Sequence, residues 1–146
     1  MKKKRSESMK RILILDMGNA ARSIMAEALV NHHLKRSCNL HAESAGIVPK
    51  GSIDHETIQV LAEDGIETEH LWSKSLDDLK RSDFDLVVTV CDNLKEACPV
   101  LPGARKVIHI GFEDPDGKPF EAYERTIHQL KRLLLPRIEE ELCEEE

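Results

Sequence analysis

The sequence predicts an α/β fold with a four-stranded parallel sheet and helices on both faces. Three observations carry that expectation. Short apolar runs of strand length alternate with segments of helical period. The run from Phe84 to Val90 is almost continuously apolar, as in a central parallel strand covered on both sides. The first apolar run passes directly through a glycine-containing loop into an amphipathic helix, the βα unit from which parallel sheets are built.

The elements follow in order. Arg11 to Leu15 reads as a short buried strand. Arg22 to about Lys35 reads as a helix whose apolar stripe is Ile24, Met25, Ala28 and Leu29. Leu40 to Ser44 is the second strand, ending at Ala45-Gly46. Asp54 to Asp64 is a helix with Ile58 and Leu61 facing inward and Gly65 placed to end it. Ser75-Leu76-Asp77-Asp78 has the form of a capping box opening a short helix. Phe84 to Val90 and Lys106 to Ile110 supply the third and fourth strands. Ala122 to about Leu142 is the last helix, with Pro136 expected to kink it, because proline has no N–H and clashes with the preceding turn.

Composition narrows the function classes. The chain has 146 residues, 40% hydrophobic and 33% charged, which suits one globular domain. Residues 10–146 form that domain, and residues 1–9 read as a flexible basic extension. A net charge of −6 argues against a nucleic-acid binder, despite Lys2-Lys3-Lys4-Arg5. A monomer is expected. No stretch is long enough to span a membrane, so a cytoplasmic protein is expected as well. In that compartment thiols stay reduced, so Cys38, Cys91, Cys98 and Cys143 are not expected to form a structural disulfide framework. None are spaced as C-x-x-C, and no metal or cofactor is expected.

The loop Asp16-Met17-Gly18-Asn19-Ala20-Ala21-Arg22-Ser23 carries the chemistry. Gly18 permits close backbone approach, and Asn19 tolerates a left-handed conformation. Successive N–H groups can then converge as a nest at a helix N-terminus, with Arg22 as a planar fork for two oxygens of a tetrahedral anion. Ser23 can donate to the group at position 16. The same residues also suit an ordinary strand-to-helix turn with a surface arginine.

Further segments decide between those readings. Gly18, Asn19, Arg22 and Ser23 fit the pattern C-x-G-N-x-x-R-S, and Met25-Ala26-Glu27-Ala28 extends the match into the helix. Ser44-Ala45-Gly46, Ser73-Lys74-Ser75-Leu76, Val87-Val88-Thr89-Val90-Cys91-Asp92-Asn93, Glu96-Ala97-Cys98-Pro99 and Gly111-Phe112-Glu113-Asp114-Pro115 follow in collinear order. In these residues the chain resembles the thioredoxin-coupled arsenate reductases, a branch of the low-molecular-weight phosphatase fold.

The resemblance implies roles. Asp114, before Pro115, corresponds to the general acid, although an Asx-Pro turn would also place an aspartate there. Cys91 and Cys98 correspond to the pair that passes oxidation outward in the reductases. The alternative for them is two small buried hydrophobes. Asn19, Glu27 and Ser44 resemble residues around a monovalent-cation site of some members. Lys74 falls where those members carry an acid, so its ammonium is expected to replace the cation and remove any potassium requirement. Arsenate or phosphate is the implied ligand and thioredoxin the implied reductant.

One departure bears on activity. The family's nucleophile is a cysteine at the first loop position, and here that position is Asp16. A carboxylate cannot form the sulfur adduct that a second cysteine would resolve as a disulfide. Asp16 is expected to turn into the cradle as an internal anion, ionised by the nest and the helix N-terminus. The expected function is therefore an arsenate-reductase-type protein with impaired chemistry. A phosphatase-like enzyme and a non-catalytic oxyanion- or partner-binding module are the alternatives.

Overall fold

The computed structural model describes residues 8–92 and 104–143. Its elements are β1 (Lys10–Asp16), α1 (Arg22–Cys38), β2 (Leu40–Gly46), α2 (His55–Glu63), a single 3₁₀ turn (Leu76–Asp78), β3 (Leu86–Thr89), β4 (Val107–His109), α3 (Phe120–Gln129), a π-helical turn (Leu130–Leu134) and α4 (Leu135–Leu142). The four strands are parallel, as the sequence predicts, and the structure sets them in the order β2-β1-β3-β4.

Alternation along β1 assigns its side chains to two layers. Ile12 and Ile14, with Leu86 and Val88 of β3, face the main core, where they meet Ile24, Met25, Leu29, Leu61, Leu130, Leu134 and Ile138. Leu13, Leu15 and Val87 face the other side, packed with Phe84, Leu76 and Leu79. Among the described residues the four α-helices share one face, and the 3₁₀ turn lies on the other. The core is aliphatic, with Tyr123 its largest fully buried side chain.

Most boundaries follow the local signals. Ser75 and Asp78 form the predicted capping box, on a single 3₁₀ turn. Gly65 takes a left-handed φ of 77° just after α2. Asn39 ends α1 in the left-handed region, its N–H bonded to the Lys35 carbonyl. Within α2 the buried residues are Thr57, Val60 and Leu61, while Ile58 is only half-buried, a small rotation from the predicted face. Pro136 acts one turn earlier than a simple kink. It cannot donate to the carbonyl four residues back, and the preceding turn widens to π geometry, with the Leu135 N–H reaching the Leu130 carbonyl.

The cysteines require a correction. Cys38 and Cys143 form a disulfide across 105 residues, with Cα atoms 4.7 Å apart. Sequence spacing carried no sign of this pairing, because the two residues meet only when α4 packs against the end of α1.

Candidate active site

The reversal of strand order beside β1 opens a crevice beyond the carboxyl ends of β1 and β3, the usual ligand position in open α/β sheets. The loop from Asp16 to Ser23 fills that position. Its shape is set by its carbonyls, which turn outward. Those of Asp16, Met17, Gly18 and Ala20 accept the N–H groups of Ile47, Val48, Lys50 and Asp54 at 2.8–3.0 Å. With the carbonyls spent on the neighbouring segment, amides of the loop turn inward.

Asn19 has the predicted left-handed backbone, at φ 49°. Its side chain ties the loop down, donating to Ser23 Oγ at 2.8 Å and Ser44 Oγ at 3.0 Å, while its Oδ1 accepts the Lys74 N–H at 2.8 Å. Gly18 does less than expected, since a Cβ there would meet only the flexible Lys50 side chain, at 3.6 Å. The glycine demanded by close approach is Gly46, where a Cβ would lie 2.8 Å from the Met17 carbonyl oxygen and 3.0 Å from the Asn19 nitrogen.

Asp16 turns inward and is 2% exposed. Its Oδ1 accepts the Asn19 N–H at 2.8 Å and the Ser23 hydroxyl at 2.8 Å, and its Oδ2 accepts the Ser23 N–H at 3.1 Å. The carboxyl group therefore takes cradle donors that an oxyanion would use. Its protonation departs from the expectation. Burial pushes the Asp16 carboxyl above its ordinary range, against the opposing pull of Arg22 and the bonds from Asn19 and Ser23. Desolvation outweighs the nest, so the position is not held ionised as firmly as the loop pattern implies.

Arg22 is equally buried, with Nε 3.9 Å from Asp16 Oδ2. Nη1 donates to the Phe112 carbonyl at 3.0 Å, and Nη2 lies 3.5 Å from Asp114 Oδ2. The fork is thus shared between the loop floor and the segment carrying Asp114. Asp114 is half-exposed, and its Oδ1 accepts the Asp116 N–H at 3.1 Å, so it is both a turn residue and a group facing the cradle. Met17 and Gly18 are half-exposed, while Ala20 and Ala21 are buried.

The loop is supported from behind by the residues the sequence singled out. Ser44 Oγ donates to Glu27 Oε1 at 2.6 Å, and Lys74 Nζ reaches the same oxygen at 3.3 Å. Lys74 Nζ also donates to the Trp72 carbonyl and lies 5.5 Å from the centre of the Trp72 ring. The Lys74 ammonium thus lies against Glu27, while the Lys74 backbone N–H holds Asn19.

Cys91 is fully buried just past β3, where the Val90 N–H bonds to the Leu15 carbonyl. Cys98 lies outside the described residues. Four further residues were missed. Lys50 Nζ bonds Asp54 Oδ1 at 2.5 Å and Asp116 Oδ1 at 3.1 Å, and the Tyr123 hydroxyl donates to Asp54 Oδ2 at 2.7 Å. Burial and that bond push the Tyr123 hydroxyl far above its ordinary value. Asp54, before α2, makes no capping bond and spends its carboxylate on this cluster. Lys50, Asp54 and Asp116 line, with Asp16, Arg22 and Asp114, a cavity of about 30 Å³. No group of metal-ligating side chains occurs among the described residues.

A strand-loop-helix nest backed by a four-stranded parallel sheet defines a phosphatase-type oxyanion site. The sequence agrees over nearly its whole length. Residues 11–144 match the low molecular weight phosphotyrosine protein phosphatase family, and the chain belongs to it. Its relatives include an arsenate reductase of Staphylococcus aureus, 34% identical over 122 residues, covering 84% of this chain and 91% of that protein. Among solved structures, an arsenate reductase from Archaeoglobus fulgidus superposes with a TM-score of 0.75 at 32% identity, covering 87% of this chain and 98% of the other. A low molecular weight protein tyrosine phosphatase from T. tengcongensis superposes with a TM-score of 0.73 at 30% identity, covering 91% and 99%.

Proposed function

We propose that this chain is an arsenate-reductase-type protein whose oxyanion-loop scaffold is kept but occupied by its own Asp16 carboxyl group, and whose reduction chemistry is blocked at that position. The observation that carries the reading is the placement of the Asp16 carboxyl group inside the loop, on the Asn19 and Ser23 N–H groups and beside Arg22. The matched segments extend to Cys91, Cys98 and Asp114, and the sequence likeness includes arsenate reductases.

The chemistry follows from the group at the floor. A thiolate there would attack arsenate, and a second thiol would then attack that sulfur, leaving a disulfide and arsenite. The two electrons come from sulfur. Asp16 has none to give, so Cys91 and Cys98 have no adduct to resolve. Arg22 would neutralise charge on the bound anion, and Asp114 would hold or supply a proton at the mouth. Lys74 is assigned the place of a monovalent cation behind the loop, through Glu27 and Ser44, so potassium is not required. The setting is the cytoplasm, the partner is thioredoxin where the thiol relay operates, and the protein acts as a monomer. Among the described residues no helix is long and apolar enough to cross a membrane.

The test is a thioredoxin-coupled assay of the parent and of Asp16→Cys. Arsenate-dependent NADPH oxidation is expected only with Asp16→Cys. Steady arsenate-dependent oxidation by the parent would refute the block. A phosphatase acting through an Asp16 acyl phosphate is the second reading, favoured by Asp114 facing the same cavity. Release of phosphate from an aryl phosphate, abolished by Asp16→Ser, would support it.

A further inference from the structure

Cys38 and Cys143 lie at the C-terminal end of α1, opposite the end that the oxyanion loop opens. Cys38 is the last residue of α1, and Cys143 follows the last residue of α4. Ile138 of α4 is buried in the main core, and Leu142 and Cys143 pack against that core. The Cys143 N–H remains bonded to the Glu139 carbonyl, so the helical path carries its sulfur up to Cys38. A Cα separation of 4.7 Å lies inside the range that a disulfide spans without backbone movement.

We infer that Cys38 and Cys143 are an oxidation site whose disulfide is a slow-exchanging clamp holding the C-terminal helix to α1. It takes no part in electron transfer at the oxyanion loop. The chemistry balances with a low-molecular-weight disulfide such as oxidised glutathione. The Cys143 thiolate attacks that disulfide and releases one glutathione thiolate. The Cys38 thiolate then attacks Cys143 Sγ and releases the second. Two electrons and two protons pass from the cysteines to two glutathione molecules.

Exposure sets the exchange rate. Cys38 is 3% exposed, within the apolar cluster, so an external thiol cannot approach its sulfur, whereas Cys143 is half-buried. Attack must fall on Cys143 and expel Cys38 as a buried thiolate at a helix C-terminus. Low polarity and the carbonyl end of the helix both disfavour that anion, even with Lys35 and Arg36 in the last turn, and a poor leaving thiolate slows reduction. The bond closes a loop spanning 105 residues of separation, so it removes much of the freedom of the unfolded chain.

Treatment with oxidised glutathione, alkylation and a non-reducing digest analysed by mass spectrometry test the assignment. The expected product is a Cys38–Cys143 linked peptide. Oxidised Cys143→Ser should melt roughly 10 °C below oxidised parent, a shift scaled from the loop length and chain size. Dithiothreitol should open the linked peptide at least ~10-fold more slowly in the folded protein than in urea, because folding buries the leaving sulfur. Recovery of Cys38 and Cys143 both alkylated after oxidation would overturn the inference. So would a Cys143→Ser midpoint equal to that of the oxidised parent, or equal reduction rates in the two solvents.

Discussion

Replacing Asp16 with serine should turn a self-occupied loop into an anion receptor. The carboxyl group accepts the Asn19 and Ser23 N–H groups and fills the floor, leaving a cavity of about 30 Å³. The space left over the floor is small, and the donors an anion would use there are already taken by the Asp16 carboxyl group. Above the raised pKa of Asp16, where its carboxyl group is ionised, serine removes a charge that would otherwise stand about 4 Å from the ligand, where one pair of like charges costs about 4 kcal/mol at an effective dielectric of 20. Unscreened, that energy corresponds to about a thousandfold in affinity. Solvent at the mouth, where Asp114 is half-exposed, reduces it, so phosphate should bind Asp16→Ser at least ~30-fold more tightly than the parent. Asn is the poorer choice at this position. Its amide N–H would face the Ser23 N–H that Asp16 Oδ2 now accepts. Calorimetric titration with phosphate, parent against Asp16→Ser, measures the difference. Equal affinities would refute the reasoning, because they require Asp16 to lie outside the space the anion uses.

Three further outcomes follow from the same geometry. The raised Asp16 pKa links stability to pH: its contribution is complete below the ordinary carboxyl value of 3.8 and is lost as pH rises through the higher folded value, so denaturation midpoints of the parent should fall relative to Asp16→Ser across that window. Lys74→Met should destabilise the protein by about 3 kcal/mol in urea unfolding by leaving Glu27 buried without its ammonium, and added potassium should restore part of the loss; a variant as stable as the parent would remove Lys74 from the cation's role. Gly46→Ala should cost about 1–3 kcal/mol by the same measurement, since its methyl group would lie 2.8 Å from the Met17 carbonyl oxygen and force the loop aside.

What the sequence determined by itself was local or carried by likeness. The strand and helix periods, the left-handed Asn19, the Ser75 capping box and the Gly65 stop are each set by a few neighbouring residues, and each is found in the structure. The grouping of Asn19, Glu27, Ser44 and Lys74 behind the loop came from family resemblance, and their hydrogen bonds bring them together. Tertiary structure alone decided the rest. Arg22 spends part of its fork on Phe112, 90 residues away, and Tyr123 anchors Asp54 across 69. Gly46 is required because β2 emerges against the turn of the loop, a clash that no local pattern encodes. Cys38 and Cys143 meet only because α1 and α4 end side by side. The protonation of Asp16 belongs to the same class: loop donors favour the charged form and are legible in sequence, but the desolvation that opposes them comes from the assembled fold.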